Sequence, residues 1–244
     1  MTSVPVVCFP PAGAGPSFFQ QAQGRSELLD LRPVDLPGKE ALFTELPAET
    51  IPELVEAVLP AVRAALGDAP RAALFGHCFG AVVAYETAQA LLRDGHRGEL
   101  VLFASGSHPP GVPNAVRLTG LSDEEFIAGV RRIADYDHPA LDDLELRELL
   151  LPALRADIAA HESYAPAWPD VLPAPVVAVR GADDALVSAA SSSGWAAVTS
   201  GGFVARELPG THMYPTDDWS GLSALIEREL LPARATSSTA GNRT

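Results

Sequence analysis

The stretch that most constrains this chain is residues 71–90, "RAALFGHCFGAVVAYETAQA". The apolar run 71–75 reads as a buried strand. The segment 79–93 reads as a helix, with polar positions at Glu86, Gln89 and Arg93. Between them stand Gly76-His77-Cys78-Phe79-Gly80. A residue exposed on so tight a strand-to-helix turn needs small neighbours on both sides, and the two glycines supply them. The spacing is that of a nucleophile elbow, G-x-S-x-G, with cysteine where serine is usual. A helix N-terminus behind Cys78 favours negative charge on sulfur or on an oxyanion. The Phe79 backbone N–H is placed to be one oxyanion donor. The plainer alternative is that Cys78 is a small buried hydrophobe, the usual role of a free cysteine.

Other strands recur at intervals that suit a parallel sheet. "VPVVCF" (4–9) is stopped by Pro10-Pro11, and "LRPVDLPG" (31–38) reads as a strand followed by a turn. "ELVLFAS" (99–105), "PAPVVAVRG" (173–181) and "GFVAREL" (202–208) complete the set. Helical spacing fills the gaps. In 50–67 it falls on Leu54, Val55, Val58, Leu59, Val62 and Leu66, with Thr50 and Glu53 as a capping box and a kink expected at Pro60. Strands alternating with helices predict an α/β fold with a mostly parallel sheet and flanking helices.

From about 111 to 165 no strand signal appears. Ser122-Asp123-Glu124-Glu125 opens one helix, and "LDDLELRELLLPALRADIAAHESY" continues helical with an interruption expected at Pro152. An all-helical insertion between strands is where a lid would lie. The expected organisation is a single domain over 1–234, with this lid, and a disordered small-polar tail over 235–244.

With 244 residues and 47% hydrophobic content, the chain can bury a sizeable core. The net charge of −14 argues against nucleic acid and anionic membrane surfaces. No run reaches the roughly 18 apolar residues of a membrane span, and the N-terminus lacks the pattern of a signal peptide. Two cysteines, Cys8 and Cys78, make no disulfide framework, so a reducing cytoplasm is expected. No His/Cys/Asp cluster has metal-ligand spacing, and no metal or cofactor is expected. Gly13-Ala14-Gly15 alone is a weak nucleotide-loop signal.

A nucleophile on an elbow needs a base and an acid, in the chain order nucleophile, acid, histidine. "AVRGADDALVS" offers Asp183 and Asp184 after a strand, and "ELPGTHMYP" offers His212 after the last strand. His77 is expected to point away from the site and to pack or form a hydrogen bond. His96, His108, His138 and His161 read as solvated or structural, and Cys8 as inert core. Arg131-Arg132 reads as a solvated helix face, the sharper alternative being a contact for an acidic carrier protein.

Five segments, in order, resemble a type II thioesterase of polyketide and nonribosomal peptide synthesis, a branch of the α/β-hydrolases. "VVCFPPAGAG" resembles that family's opening loop. "VDLPGKE" resembles its Leu-Pro-Gly-Arg turn, with Lys39 for Arg. "LFGHCFGAVVAYETAQAL" resembles its elbow and helix, with Cys78 for Ser and Phe79 where Met is common. "LLLPALRADIAAHESY" resembles the end of its lid. "LPGTHMY" resembles its Gly-Gly-His-Phe ending, with Thr211 and Met213 as departures. The resemblance spans the chain to about residue 230. It implies an α/β-hydrolase fold, Cys78 as nucleophile, Asp184 as acid in preference to Asp183, His212 as base, and oxyanion N–H groups from Ala12 and Phe79. It implies action on acyl groups carried as phosphopantetheine thioesters on acyl or peptidyl carrier proteins.

A cysteine nucleophile leaves several outcomes open. The acyl group can pass to water, or to an amine, alcohol or second carrier thiol, as in an acyltransferase or cyclase. A non-hydrolytic binding partner is a third reading, against which the complete Cys/Asp/His set argues. Cys78 as a serine replacement made to trap an acyl-enzyme is a fourth.

Overall fold

The computed structural model describes residues 3–112, 116–134 and 141–231. Six strands form one sheet: β1 (Val4–Phe9), β2 (Leu29–Pro33), β3 (Arg71–His77), β4 (Glu99–Ser105), β5 (Val176–Gly181) and β6 (Phe203–Leu208). Their order is β2-β1-β3-β4-β5-β6, and every pair is parallel. The helices are α1 (Ile51–Leu66), α2 (Phe79–Arg93), α3 (Asp123–Ala134), α4 (Leu144–Glu162), α5 (Ala189–Ser193), α6 (Tyr214–Asp217) and α7 (Trp219–Leu230).

Alternate residues along each strand point to opposite faces, and each face has its own core. Val7, Phe9, Leu74, Leu102, Val176 and Ala178 share a cluster with the apolar residues of α1 and α2. Val6, Cys8, Ala73, Phe75, Phe103, Val177 and Val179 share another with α7 and the 3₁₀ turn Pro16–Ala22. Strands buried on both faces explain why β1, β3, β4 and β5 read as near-continuous apolar runs.

The strand and turn expected over 31–38 are present, with the strand, β2, beginning two residues earlier and ending at Pro33. The Val34 N–H still donates to the Cys8 carbonyl, and the chain then turns through Gly38, whose φ is +80°. Neither internal proline ends its helix: α1 runs through Pro60 and α4 through Pro152. Both prolines, and the residues Glu56 and Glu148 whose carbonyls they leave without a helical donor, are exposed. Water can satisfy those carbonyls, so the cost is smaller than at a buried proline. Thr50 caps α1 by accepting from the Glu53 N–H, while Glu53 reaches the Glu49 N–H rather than that of Thr50.

Between β4 and β5, the described residues of 111–165 contain helices α3 and α4 and no strand. Ser122 and Glu125 cap α3 reciprocally. Arg155 on α4 pairs with Asp123 of α3 at 2.6 Å. Leu118, Phe126, Ile127, Leu141, Leu151 and Leu154 make a small core under this insertion. His138 and the tail from 235 lie outside the described residues. Among those described, no helix is long and apolar enough to cross a membrane.

Candidate active site

In a parallel sheet all strands end on the same side, so loops after neighbouring strands converge there. Cys78 follows β3, Asp184 follows β5 and His212 follows β6. Three positions separated by up to 134 residues of sequence (212 − 78) are thereby brought to one edge.

Cys78 occupies the turn itself. Its φ is +54° and ψ −117°, a conformation rarely adopted by a residue with a side chain, and its N–H donates to the Ser105 carbonyl at 2.8 Å. The turn is tight enough that a Cβ on Gly76 would lie 2.1 Å from the Gly80 carbonyl oxygen. One on Gly80 would lie 2.3 Å from that of Phe9. Both glycines are therefore required by backbone approach, and the strained residue between them is presented, partly exposed, at the sheet edge.

The acid and base loops are tied to each other by backbone. Ala182 N–H donates to the Leu208 carbonyl and Asp183 N–H to that of Gly210. Gly181 is pressed so closely against Thr211 that a Cβ there would lie 2.1 Å from its carbonyl oxygen. Asp184 points inward and Asp183 is exposed. Asp184 Oδ2 meets His212 Nδ1 at 3.0 Å, and its Oδ1 accepts from the N–H groups of Leu186 and Val187. Burial works against the Asp184 carboxylate, but His212 and those two amides hold it below its ordinary range.

His212 is 4% exposed. Burial disfavours its imidazolium, yet the Cys78 sulfur, to which it is hydrogen-bonded, and Asp184 outweigh this and push it up to about 10. The charged imidazole is thus the form that suits the site, with the Asp184 carboxylate against Nδ1. Because Asp184 fixes Nδ1, the other ring nitrogen is left for Cys78. Asp184→Asn should therefore cost more activity than Asp183→Asn, which alters only an exposed side chain. Initial-rate measurement on an acyl thioester checks this, and equal losses would remove Asp184 from its place.

His77 packs and forms a hydrogen bond as expected, but it is not turned away from His212. Its buried ring lies 5.2 Å from that of His212, stacks on Phe18, and its Nδ1 is 2.8 Å from Ser105 Oγ, which in turn meets Tyr214 Oη at 2.6 Å. Burial, and then the neighbouring His212, hold it well below the usual histidine value, so it is a neutral neighbour of a charged one. His108 is hydrogen-bonded to Ser191 Oγ, and partly buried His161 meets the Phe79 ring edge-to-face at 5.8 Å. Burial pushes the His161 imidazole down to about 4. Cys8 is buried in the core, and burial raises its thiol far above the usual range. Among the described residues no group of side chains could hold a metal ion.

Phe79 follows Cys78 directly, and Ala12 lies in the loop after β1. Neither backbone N–H donates to a protein acceptor outside its own helix among the described residues, so both remain available. A feature that the sequence left without a role lies beside Ala12. Lys39 and Asp157, both buried, pair at 2.9 Å, and Asp157 also accepts the Gly13 N–H at 2.7 Å. The segments "LPGK" and "LRAD" were visible in the sequence, but nothing local indicates that they meet.

The thioesterase domain profile matches residues 4–229. Thioesterase PikA5 of Streptomyces venezuelae is 35% identical over 235 residues, covering 96% of this chain and 83% of that protein. Gramicidin S biosynthesis protein GrsT of Aneurinibacillus migulanus is 30% identical over 209 residues, covering 85% and 81%. Among solved structures, YbtT, a type II thioesterase from the yersiniabactin pathway, superposes with a TM-score of 0.83 at 30% identity, covering 94% of this chain and 93% of that one. BorB, a type II thioesterase from the borrelidin cluster, gives 0.79 at 28%, covering 94% and 92%. With an α/β-hydrolase sheet, a strained elbow and a family match over nearly its whole described length, the chain belongs to the thioesterase family.

Proposed function

We propose that this protein releases acyl groups held as phosphopantetheine thioesters on acyl or peptidyl carrier proteins, by hydrolysis through a Cys78 acyl-enzyme. The observation that carries the reading is the meeting of Cys78, His212 and Asp184 at the C-terminal edge of the sheet. The pathways named for its relatives supply the substrate class.

The Cys78 sulfur attacks the thioester carbonyl. The carbonyl electron pair moves to oxygen, which the Ala12 and Phe79 N–H groups stabilise. Collapse breaks the bond to the phosphopantetheine sulfur, which takes a proton from the His212 imidazolium. Neutral His212 then removes a proton from water, whose oxygen attacks the acyl-cysteine carbonyl. The second collapse gives the free acid and returns sulfur and imidazole to their starting forms. Asp184 holds the ring in place and stabilises its charged form. The insertion 111–165 acts as a lid over the acyl group, within a single domain over 1–234. A reducing cytoplasm, where Cys78 persists as a thiol, is the compartment that suits this chemistry.

The thiol itself favours a second reading, transfer. Acyl exchange from a carrier thioester to a cysteine is nearly balanced in free energy, so the acyl group stays activated toward an amine, alcohol or second carrier thiol. Product partitioning with a carrier thioester and a competing amine or second carrier separates the two. Hydrolysis predicts free acid alone from both the wild type and Cys78→Ser. Transfer predicts a new ester, amide or thioester, with the ratio of hydrolysis to transfer rising in Cys78→Ser, because an oxygen ester is the poorer donor. A protein that forms no acyl adduct and no product from any carrier thioester would be neither.

A further inference from the structure

The loop that carries Ala12 is tied to the insertion as well as to the sheet core. Asp157, on the last turns of α4, accepts the Gly13 N–H on Oδ2 at 2.7 Å and Lys39 Nζ on Oδ1 at 2.9 Å. Both side chains of the pair are 4% exposed, and Lys39 is the sole lysine of the chain. Leu154, one turn earlier on α4, lies so close that a Cβ on Gly13 would come within 2.7 Å of its Cδ1, and Gly13 has φ +76°. Ala12 packs against the same insertion core as Leu154. Segments near 13, 39 and 157 thus close around one carboxylate.

A trans peptide is planar, so its N–H and C=O point in opposite directions. Holding the Gly13 N–H on Asp157 therefore directs the Ala12 carbonyl away from that carboxylate and fixes the 12–13 peptide plane. The Ala12 N–H, on the preceding plane, is constrained through one residue only. Burial pushes the Asp157 carboxyl up, while Lys39 and the Gly13 amide act against that and favour the charged acceptor.

We infer that Asp157, held between Lys39 and the Gly13 N–H, is a positioning residue of the oxyanion loop, so that seating α4 and aiming the Ala12 N–H are one event. The inference rests on the proposed role of the Ala12 N–H in the acylation of Cys78. Asp157 does not touch the reacting atoms; it acts through Gly13.

The test uses the full chain and a carrier-bound acyl thioester, with single-turnover acylation of Cys78 followed by intact-mass analysis. A second readout is the affinity of an acyl aldehyde, whose carbonyl carbon bonds to the Cys78 sulfur while its oxygen takes the proton, giving a thiohemiacetal with oxygen in the same hole. Removing an oxyanion donor outright costs about 10²–10³-fold in rate, so misplacing one in Lys39→Met or Asp157→Asn is expected to cost about 10–100-fold. KM should change by less than about threefold, aldehyde affinity should fall in step with the rate, and Lys39→Arg should recover most of what Lys39→Met loses. If Asp157→Asn does not fold, Asp157→Glu, which keeps the charge but moves the carboxylate, carries the same measurements. Folded variants that acylate at the wild-type rate, or that lose only KM, overturn the inference. Wild type that forms no acyl adduct is a different failure: it removes the acyl-enzyme, and the inference with it.

Discussion

Cys78→Ala is expected to form no acyl adduct with any carrier thioester and to lose at least about 10³-fold in turnover, as nucleophile removal does elsewhere. The fold should survive. The bonds that hold the elbow together are backbone ones: the Cys78 N–H donates to the Ser105 carbonyl, the Cys78 carbonyl accepts from the Ala81 N–H, and Gly76 seats against Gly80, none of which involves the sulfur. The thermal midpoint should therefore stay within a few degrees of wild type. A second readout follows from the electrostatics. The Cys78 sulfur is among the groups that push His212 up to about 10 against burial. With alanine at 78, burial acts against Asp184 alone, and the His212 imidazole should titrate at lower pH by NMR. An acyl adduct persisting on the alanine variant sinks Cys78 as nucleophile. An unchanged His212 titration would sever it from the imidazole.

Much of this site was legible in the sequence, for an identifiable reason. The elbow is a local structure: two glycines and one reactive residue on five consecutive positions, where backbone sterics leave few options. The strand ends that bring Asp184 and His212 to it follow from the alternation of strands with helices, because a parallel sheet has only one C-terminal edge. The choice between Asp183 and Asp184 was less secure. The two are adjacent in one turn, where Asp183 N–H donates to the Gly210 carbonyl and Asp184 N–H to that of Gly181, and their side chains differ in direction. The Lys39–Asp157–Gly13 network was not readable, since its members are 118 and 144 residues apart and no local pattern marks them as partners. The placement of His77 against His212 was misjudged for the same reason. Its direction depends on Gly106, whose missing Cβ leaves the room that the two rings share. The interruption expected at Pro152 does not occur, because an exposed proline costs a helix less than propensity alone suggests.

Gly76→Ala should be among the most damaging substitutions outside the reacting groups. Gly76 is not in the left-handed region, so conformational strain is not the issue. The added Cβ would lie 2.1 Å from the Gly80 oxygen, 2.3 Å from its carbonyl carbon and 2.5 Å from the Ala81 nitrogen. All three are backbone atoms in the first turn of α2, and no side chain can swing aside. Relief requires α2 to lift from β3. Phe79, Val82 and Val83, all buried against the sheet, would then lose contact. Overpacking ordinarily costs about 1–3 kcal/mol, and a clash with no flexible partner belongs at or above the upper end. At about 2–4 °C per kcal/mol for a chain of this size, the midpoint should drop by about 6–12 °C or the protein should fail to fold. Gly24→Ala is the control. Gly24 has φ +72° and open space around it, so alanine there meets only the strain of left-handed backbone, about 1–2 kcal/mol. A Gly76→Ala protein that melts with Gly24→Ala and still acylates Cys78 at the wild-type rate would mean that the elbow is looser than its backbone contacts require. In the expected case, the same displacement that costs stability also carries Cys78 away from His212, so acylation and melting temperature fall together.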